Sequence, residues 1–179
     1  MYLTSESELT DTQQNDIKSL AAECFPDVSL TQDEEHFYAE SFARILVYDN
    51  ELLVGHLKLF NRNVFYNDEQ VTLGGMGAVC VKSNYRGRHI ATNMLKKGIE
   101  VLKEKNCDVV CLNVDTSKQT YKLYESVGFI MLHKNISFED SHGETKFDDG
   151  TMFLPLHSLS IYELIMKGEH TFHYGKGYW

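Results

Sequence analysis

The chain has 179 residues, of which 42% are hydrophobic and 24% charged, with a net charge of −9 and a pI of about 5.3. This predicts one globular domain with a sizeable core, and no apolar run is long enough to predict a membrane span. The acidic balance argues against a nucleic-acid surface, which needs clustered Lys and Arg. It suits a cationic partner, although many proteins are acidic merely for solubility.

The first third of the chain predicts two helices followed by two strands. Residues 11–25 place Ile17, Leu20, Ala21 and Cys24 on one helical face, and a proline follows. The stretch "QDEEHFYAESF", residues 32–42, is interpreted as a second helix. "ARILVYD" reads as a strand that ends near residue 50, and "LLVGHLKLF" alternates apolar and polar positions as a strand does.

The middle of the chain predicts alternating strands and helices. "MGAVCV" and "CDVVCLNV" are continuous apolar runs typical of strands covered on both faces. Between them, residues 89–106 place Ala91, Leu95, Ile99 and Leu102 at helical spacing. "SKQTYKLYESVG" predicts a short helix closed by Gly128, and "FIMLHKNISF" a further strand. This order predicts an α/β fold with a mixed sheet and a right-handed crossover.

Cysteine and histidine spacing indicates neither disulfides nor a metal. The four cysteines form no CxxC pair, and three of them lie in apolar, strand-like runs, where buried thiols are common. The polar start "MYLTSESELTDTQQND" is unlike a secretory signal. We therefore expect a reducing, cytoplasmic protein. His170 and His173 form a pair without a third ligand, so no metal is expected.

The stretch "NYRGRHIATNML", which begins at residue 84, joins a predicted buried strand to a predicted helix. The free N–H groups and the dipole of a helix's first turn form an anion site. Arg86 and Arg88 flank that position, and Gly87 lets the backbone approach a ligand closely. Neither a Walker loop nor a dinucleotide fingerprint is present.

The loop resembles the R-x-x-G-x-G/A signature of the GCN5-related N-acetyltransferases (GNAT), with His89 replacing the middle glycine. "LYESVGF", about thirty residues later, resembles the second signature of that family. The resemblance implies a mostly antiparallel mixed sheet with two splayed strands, flanked by helices. It implies acetyl-CoA as cosubstrate, held by Val79, Val81, Arg86, Gly87, Arg88, His89, Ile90, Ala91 and Thr92. We expect a helical backbone at His89, where a Cβ is tolerated.

The ends of the chain resemble the aminoglycoside 2'-N-acetyltransferases within that superfamily. "FDDGTMFLPL" and the final "GYW" are similar to the end of those sequences, and "DIKSLAAECFPD" to their beginning. The resemblance implies one domain over residues 1–179, with an acetyl-CoA core at about 70–138 and residues 148–179 completing the acceptor cleft. It also suggests a homodimer. The implied amine contacts are Asp27, Asp33, Asp115, Asp148 and the Trp179 carboxylate.

Three positions depart from those enzymes. Gly77 stands where they carry the general-base glutamate, Gly177 where they carry an aspartate, and Asp115 where they carry a serine. The identity of the base is therefore open. A water relay to Asp115, Glu40 or His36 is one route, and a polyamine with a depressed amine pKa is another.

The expected reaction is direct attack of an amine on the thioester in a ternary complex. The Val79 N–H is the candidate oxyanion donor, and Tyr124 the candidate acid toward the departing thiolate. A core role for Tyr124 is the alternative. We expect a small cationic acceptor, with no nucleic-acid or membrane partner. A non-catalytic acyl-CoA sensor and an enzyme acting on protein N-termini or lysines are the alternative functions.

Overall fold

The computed structural model describes residues 1–26 and 39–179. The described strands are β1 (Tyr2–Ser5), β2 (Ala43–Asp49), β3 (Leu52–Tyr66), β4 (Glu69–Val81), β5 (Val109–Asn113), β6 (Ile130–Met131), β7 (Ile136–Glu139), β8 (Thr145–Asp148), β9 (Thr151–Pro155) and β10 (Phe172–Lys176). The described helices are α1 (Asp11–Cys24), α2 (Ile90–Glu104), α3 (Tyr121–Glu125) and α4 (Leu159–Lys167). The predicted α/β class is confirmed.

Among the described residues, seven strands form one sheet in the order β1-β2-β3-β4-β5-β9-β6, and three form a second in the order β10-β7-β8. The large sheet is antiparallel except where β4 and β5 run parallel. That parallel pair is joined through α2, as a crossover connection requires. The mixed, mostly antiparallel sheet is therefore confirmed.

The helices cover both faces of the large sheet. α2 is amphipathic and buries Met94, Leu95 and Leu102 against side chains of β3 and β4. α1 begins with a capping box at Thr10 and Gln13 and covers the opposite face. The C-terminal segment forms a third cluster on β3, β5, β7 and β9. The space between α1 and that segment is left open.

Two sequence predictions differ from the observed elements. Residues 39–42 are not helical, and the rest of the predicted second helix lies outside the described residues. The strand predicted over residues 129–138 is split into β6 and β7, which belong to different sheets. An apolar run does not reveal such a break, because both halves are needed in a core.

The last residue, Trp179, packs at the centre of the C-terminal cluster. Its ring stacks on Phe60 at 5.1 Å and on Tyr174 at 4.8 Å between centroids. A Cβ built on Gly75 would lie 2.6 Å from the indole, so the small residue makes room for the ring. The backbone carbonyl of Trp179 accepts a hydrogen bond of 3.0 Å from Asn113 Nδ2. The chain is thus anchored beside the point where β4 leaves β5.

We expect Trp179→Ala to lower the free energy of unfolding by about 3–5 kcal/mol, because it removes a ring that is only 6% exposed. Urea unfolding followed by circular dichroism measures this change. Phe147→Ala is the control, since Phe147 is 63% exposed and its removal should change stability by less than about 0.5 kcal/mol. Equal stability of the two variants would contradict the packing role.

Candidate functional site

The site forms where β4 and β5 part. The two strands pair only at Leu73–Val109, Gly74–Val110 and Gly75–Cys111. Beyond Gly75 the strands are no longer paired, although both continue. The backbone of β4 from residue 76 onward is therefore not paired on the side that faces β5. This is the splayed pair of strands that the sequence resemblance implies.

A bulge distorts β4 just beyond the divergence. Pairing with β3 shifts by one residue between His56–Cys80 and Lys58–Gly77, so Ala78 and Val79 together stand opposite Leu57. Ala78 has φ of +48°, a left-handed conformation that is strained for a residue with a Cβ. Strain of this kind persists only where the surroundings enforce it. The bulge turns the Ala78–Val79 peptide out of the regular ladder.

On one side of the bulge lies the loop that opens α2. Gly87 has φ of +76° and no heavy atom within 4 Å of an added Cβ, so its backbone is open to a ligand. The helix start has no side-chain cap, which leaves its first N–H groups for an anion. Arg86 and Arg88 are exposed beside it. The loop, which continues through Ile90, Ala91 and Thr92, therefore fits the pyrophosphate-like anion that the sequence predicts.

His89 adopts a conformation that the sequence analysis did not predict. Its φ of 60° and ψ of 14° lie in the left-handed region, at the N-cap of α2 rather than inside the helix. The expected helical backbone is wrong, because the loop must reverse direction before the helix begins. The left-handed region favours glycine, although histidine is among the residues that adopt it. The left-handed backbone at this position explains why the family signature has a glycine there.

Tyr124 lies on α3 within the apolar cluster that also contains Val79, Val81 and Ile90. Its ring meets Phe129 edge-on at 6.5 Å between centroids. Burial, with a smaller effect of Cys80, raises the pKa of the phenol to about 12. The hydroxyl therefore keeps its proton at neutral pH. The structure brings Tyr124 to the same side of β4 as the candidate cosubstrate residues.

On the other side of the bulge lies a cleft of about 610 Å³. Its lining combines apolar and aromatic side chains with one lysine, three acidic side chains and the C-terminal residue. The lining residues are Ala21, Phe25, Lys58, Phe60, Gly77, Ala78, Asn113, Val114, Asp115, Thr116, Asp148, Asp149, Tyr178 and Trp179. Of the predicted amine contacts, Asp115, Asp148 and Trp179 meet here, whereas Asp27 and Asp33 lie outside the described residues.

The three acidic side chains differ in their partners. Asp115 accepts hydrogen bonds from the backbone and hydroxyl of Ser117 and pairs with Lys118, and these contacts lower the pKa of its carboxyl. Asp148 accepts a 2.5 Å hydrogen bond from the Tyr178 hydroxyl. The carboxylate of Asp149 has no hydrogen-bond or ion-pair partner among the described residues. Asp149, which the site prediction omitted, is therefore the carboxylate best placed for a ligand.

The "DDG" stretch owes its form to the backbone. Gly150 has φ of +78°, and a Cβ there would lie 2.3 Å from the Val114 carbonyl oxygen. Its own carbonyl accepts a 3.0 Å hydrogen bond from the Val114 N–H. Glycine at this turn therefore brings Asp148 and Asp149 to the end of β5. In the sequence, Asp149 could have been found from its position between another aspartate and the glycine of this turn.

The position of the missing glutamate is occupied by other atoms. A Cβ on Gly77 would lie 3.2 Å from both Phe60 Cε2 and the backbone carbon of Trp179. The structure therefore has little room for a side chain there. The other suggested bases gain no support: Asp115 is engaged as described, Glu40 is exposed, and His36 lies outside the described residues.

Comparisons with known proteins show the family to which the chain belongs. Residues 7–131 match the family model described as "Acetyltransferase (GNAT) domain". The chain belongs to this family of GNAT acetyltransferases. Members of that family use acetyl-CoA.

One stretch of 76 residues is 37% identical to N-alpha-acetyltransferase 30 of Homo sapiens, and it spans 42% of this chain and 18% of that relative. The NatC complex bound to Gag peptide and CoA superposes with a TM-score of 0.58 at 21% identity, covering 87% of this chain and 98% of that chain. An aminoglycoside 6'-N-acetyltransferase complexed with coenzyme A gives a TM-score of 0.58 at 16% identity, covering 87% and 97%. These structural likenesses show the fold, and the 2'-N-acetyltransferase resemblance stays a prediction.

Two further properties concern metals and membranes. Residues 1–26 and 39–179 contain no group of three or more His, Cys, Asp or Glu side chains that could hold a metal ion. None of the described helices is long and apolar enough to cross a membrane.

We expect Gly77→Glu to destabilise the protein by about 1–3 kcal/mol and to leave acetyl transfer no faster, because the new side chain must displace Phe60 or Trp179. Trp179 is the one tryptophan of the sequence, so its fluorescence reports the displacement. Gln70→Glu, at an exposed position of the same strand, is the control with the same added charge. A stable, faster Gly77→Glu enzyme would show that the space is available.

Proposed function

We propose that this chain transfers the acetyl group of acetyl-CoA to a primary amine bound in the acidic cleft. One observation carries the proposal: the bulge at Ala78 and Val79 separates the α2 loop and Tyr124 on one side from the carboxylates on the other. A thioester lying along β4 would present its carbonyl at the bulge, within reach of an amine in the cleft. The divergence of β4 from β5 supplies the space for such a thioester.

The loop residues would hold the donor. Arg86, Arg88 and the first N–H groups of α2 would neutralise the pyrophosphate. The unpaired edge of β4, which includes Val79 and Val81, would bind the pantetheine as an added strand does. Part of that edge has internal partners, since the Val81 carbonyl already accepts from Arg86 Nε at 3.2 Å. These roles follow the resemblance and fit the geometry.

The transfer requires a new C–N bond and the loss of the C–S bond. The acceptor ammonium first gives up a proton, and we assign Asp149, directly or through water, as the acceptor of that proton. The free amine attacks the thioester carbonyl, and the Val79 N–H stabilises the oxyanion. The C–S bond breaks, Tyr124 gives its proton to the thiolate, and the second amine proton leaves to solvent. Tyr124 is reprotonated from solvent, so protons balance.

Two acceptor classes remain, each with its own support. The three acidic side chains of the cleft lining, Asp115, Asp148 and Asp149, favour a small cationic amine. The 37% identity with N-alpha-acetyltransferase 30 over 76 residues favours a protein N-terminus. Release of CoA thiol from acetyl-CoA, with aminoglycosides, polyamines and N-terminal peptides as acceptors, separates them. Acetyl-CoA binding without release on any amine would instead support a non-catalytic sensor.

We expect Tyr124→Phe to lower kcat at least about 100-fold with little change in acetyl-CoA affinity, since it removes the proton donor and keeps the ring. Because the pKa of Tyr124 is raised to about 12, its ionisation should not limit the wild-type rate at any pH well below that value. Tyr121→Phe, on the same helix, is the matched control and should leave kcat unchanged. Equal kcat in both variants would show that Tyr124 only packs in the core.

We expect Asp149→Asn to lower kcat/KM for cationic acceptors by at least about 10-fold, because the amide cannot take the amine proton and pairs less strongly with an ammonium than a carboxylate does. Steady-state rates at saturating acetyl-CoA measure this. Asp68→Asn, on the β3–β4 turn, removes the same charge away from the cleft and should have little effect. If the two variants behave alike, the cleft carboxylate does not contact the acceptor.

A further inference from the structure

A buried histidine lies directly beside the bulge. His56 is on β3, next to Leu57, the residue that faces both Ala78 and Val79. Its cross-strand partners are Leu46 on β2 and Cys80 on β4, so all three side chains share the face that α1 covers. His56 is 1% exposed. No step of the proposed reaction uses it.

The proton on this ring can be placed from its neighbours. Arg44 Nη1 lies 3.2 Å from His56 Nε2, and a guanidinium only donates. Nε2 is therefore the acceptor, and the proton of the neutral ring is on Nδ1. Burial, with the charges of Arg44 and Lys58, lowers the pKa of His56 to about 3. A ring with this pKa is a poor base, so His56 does not deprotonate an amine.

Arg44 is itself fixed by Glu6. The guanidinium makes two hydrogen bonds to the carboxylate, one of 2.7 Å from Nε to Oε2 and one from Nη2 to Oε1. The Glu6 N–H in turn donates to the Phe42 carbonyl at 3.1 Å. Bidentate pairs of this kind fix orientation as well as distance. The imidazole is thus held from the Nε2 side by a rigid chain of partners.

The Nδ1–H is buried and has no hydrogen bond of ordinary geometry among the described residues. In the strand register His56 lies one residue from the bulge, and the backbone of Ala78 slightly raises the pKa of the ring against the larger effect of burial. The Ala78–Val79 peptide is the strained point of the bulge, with φ of +48° at Ala78. A buried donor without another partner favours a backbone conformation that keeps an acceptor near. The same peptide carries the Val79 N–H on its other end.

We propose that His56 is a positioning residue for acetyl transfer: fixed by Arg44 and Glu6, its ring buttresses the bulge at Ala78 and so sets the direction of the Val79 N–H. This inference rests on the proposed function and adds to it a residue that touches neither donor nor acceptor. Removing the buttress would leave the donor site intact while the oxyanion donor loses its alignment.

Three variants of His56 separate positioning from a purely structural role. His56→Asn keeps a donor where Nδ1 lies, His56→Gln keeps an acceptor where Nε2 meets Arg44, and His56→Leu removes both. We expect kcat to fall about 10-fold to 100-fold in the Leu and Gln variants, since a small misplacement of one donor has this effect. We expect the Asn variant to stay within about 3-fold of wild type, and KM for acetyl-CoA to change little throughout.

The measurement is the steady-state rate of CoA release, taken below the melting temperature of each variant. Unchanged kcat in His56→Leu would overturn the proposal, and so would recovery by Gln but not by Asn, which would show that only the contact with Arg44 matters. If His56→Leu does not fold, the comparison of Asn with Gln decides alone. Absence of transfer by the wild-type enzyme would instead contradict the proposed function.

Discussion

The structure depends on one constraint: β4 and β5 pair for three residues and then part. A parallel pair buried on both faces is a stable core element, and giving up its hydrogen bonds needs compensation nearby. Here Trp179 and Asn113 occupy one side of the gap, where the Asn113 amide donates to the Trp179 carbonyl. Tyr124 and the start of α2 lie on the other. The gap thus separates two differently lined spaces within a single sheet.

The chemistry of the two spaces follows from what lines each. The donor side offers backbone N–H groups, arginines and a phenol that keeps its proton, all suited to anions. The acceptor side offers carboxylates together with aromatic side chains, suited to an ammonium that must lose its proton. The Ala78–Val79 peptide lies between the two. Its strained geometry is therefore the feature on which in-line transfer would depend. His56, which Arg44 and Glu6 hold, lies one residue away in the strand register.

Much of this arrangement was predictable. Helical periodicity located α1 and α2, apolar runs located β4 and β5, and two short signatures placed Tyr124 and the α2 loop together. The acidic "DDG" stretch indicated Asp148. What the pattern missed has physical causes. The break between β6 and β7, the left-handed backbone of His89 and the burial of His56 depend on contacts with residues distant in sequence. A polar residue such as His56 in an alternating strand is predicted to face solvent unless the residues that pack on it are known.

The sequence by itself determined the layered α/β class, the basic loop at the start of α2 and the acidic residues of the proposed acceptor side, because each is encoded in local spacing and residue type. Only the tertiary structure decided what fills the position of the missing glutamate, which cleft carboxylate has no partner among the described residues, and what lies beside the bulge. Those answers depend on Phe60, Trp179 and Arg44 approaching β4 from other parts of the chain. Such long-range packing leaves no periodic trace in the sequence.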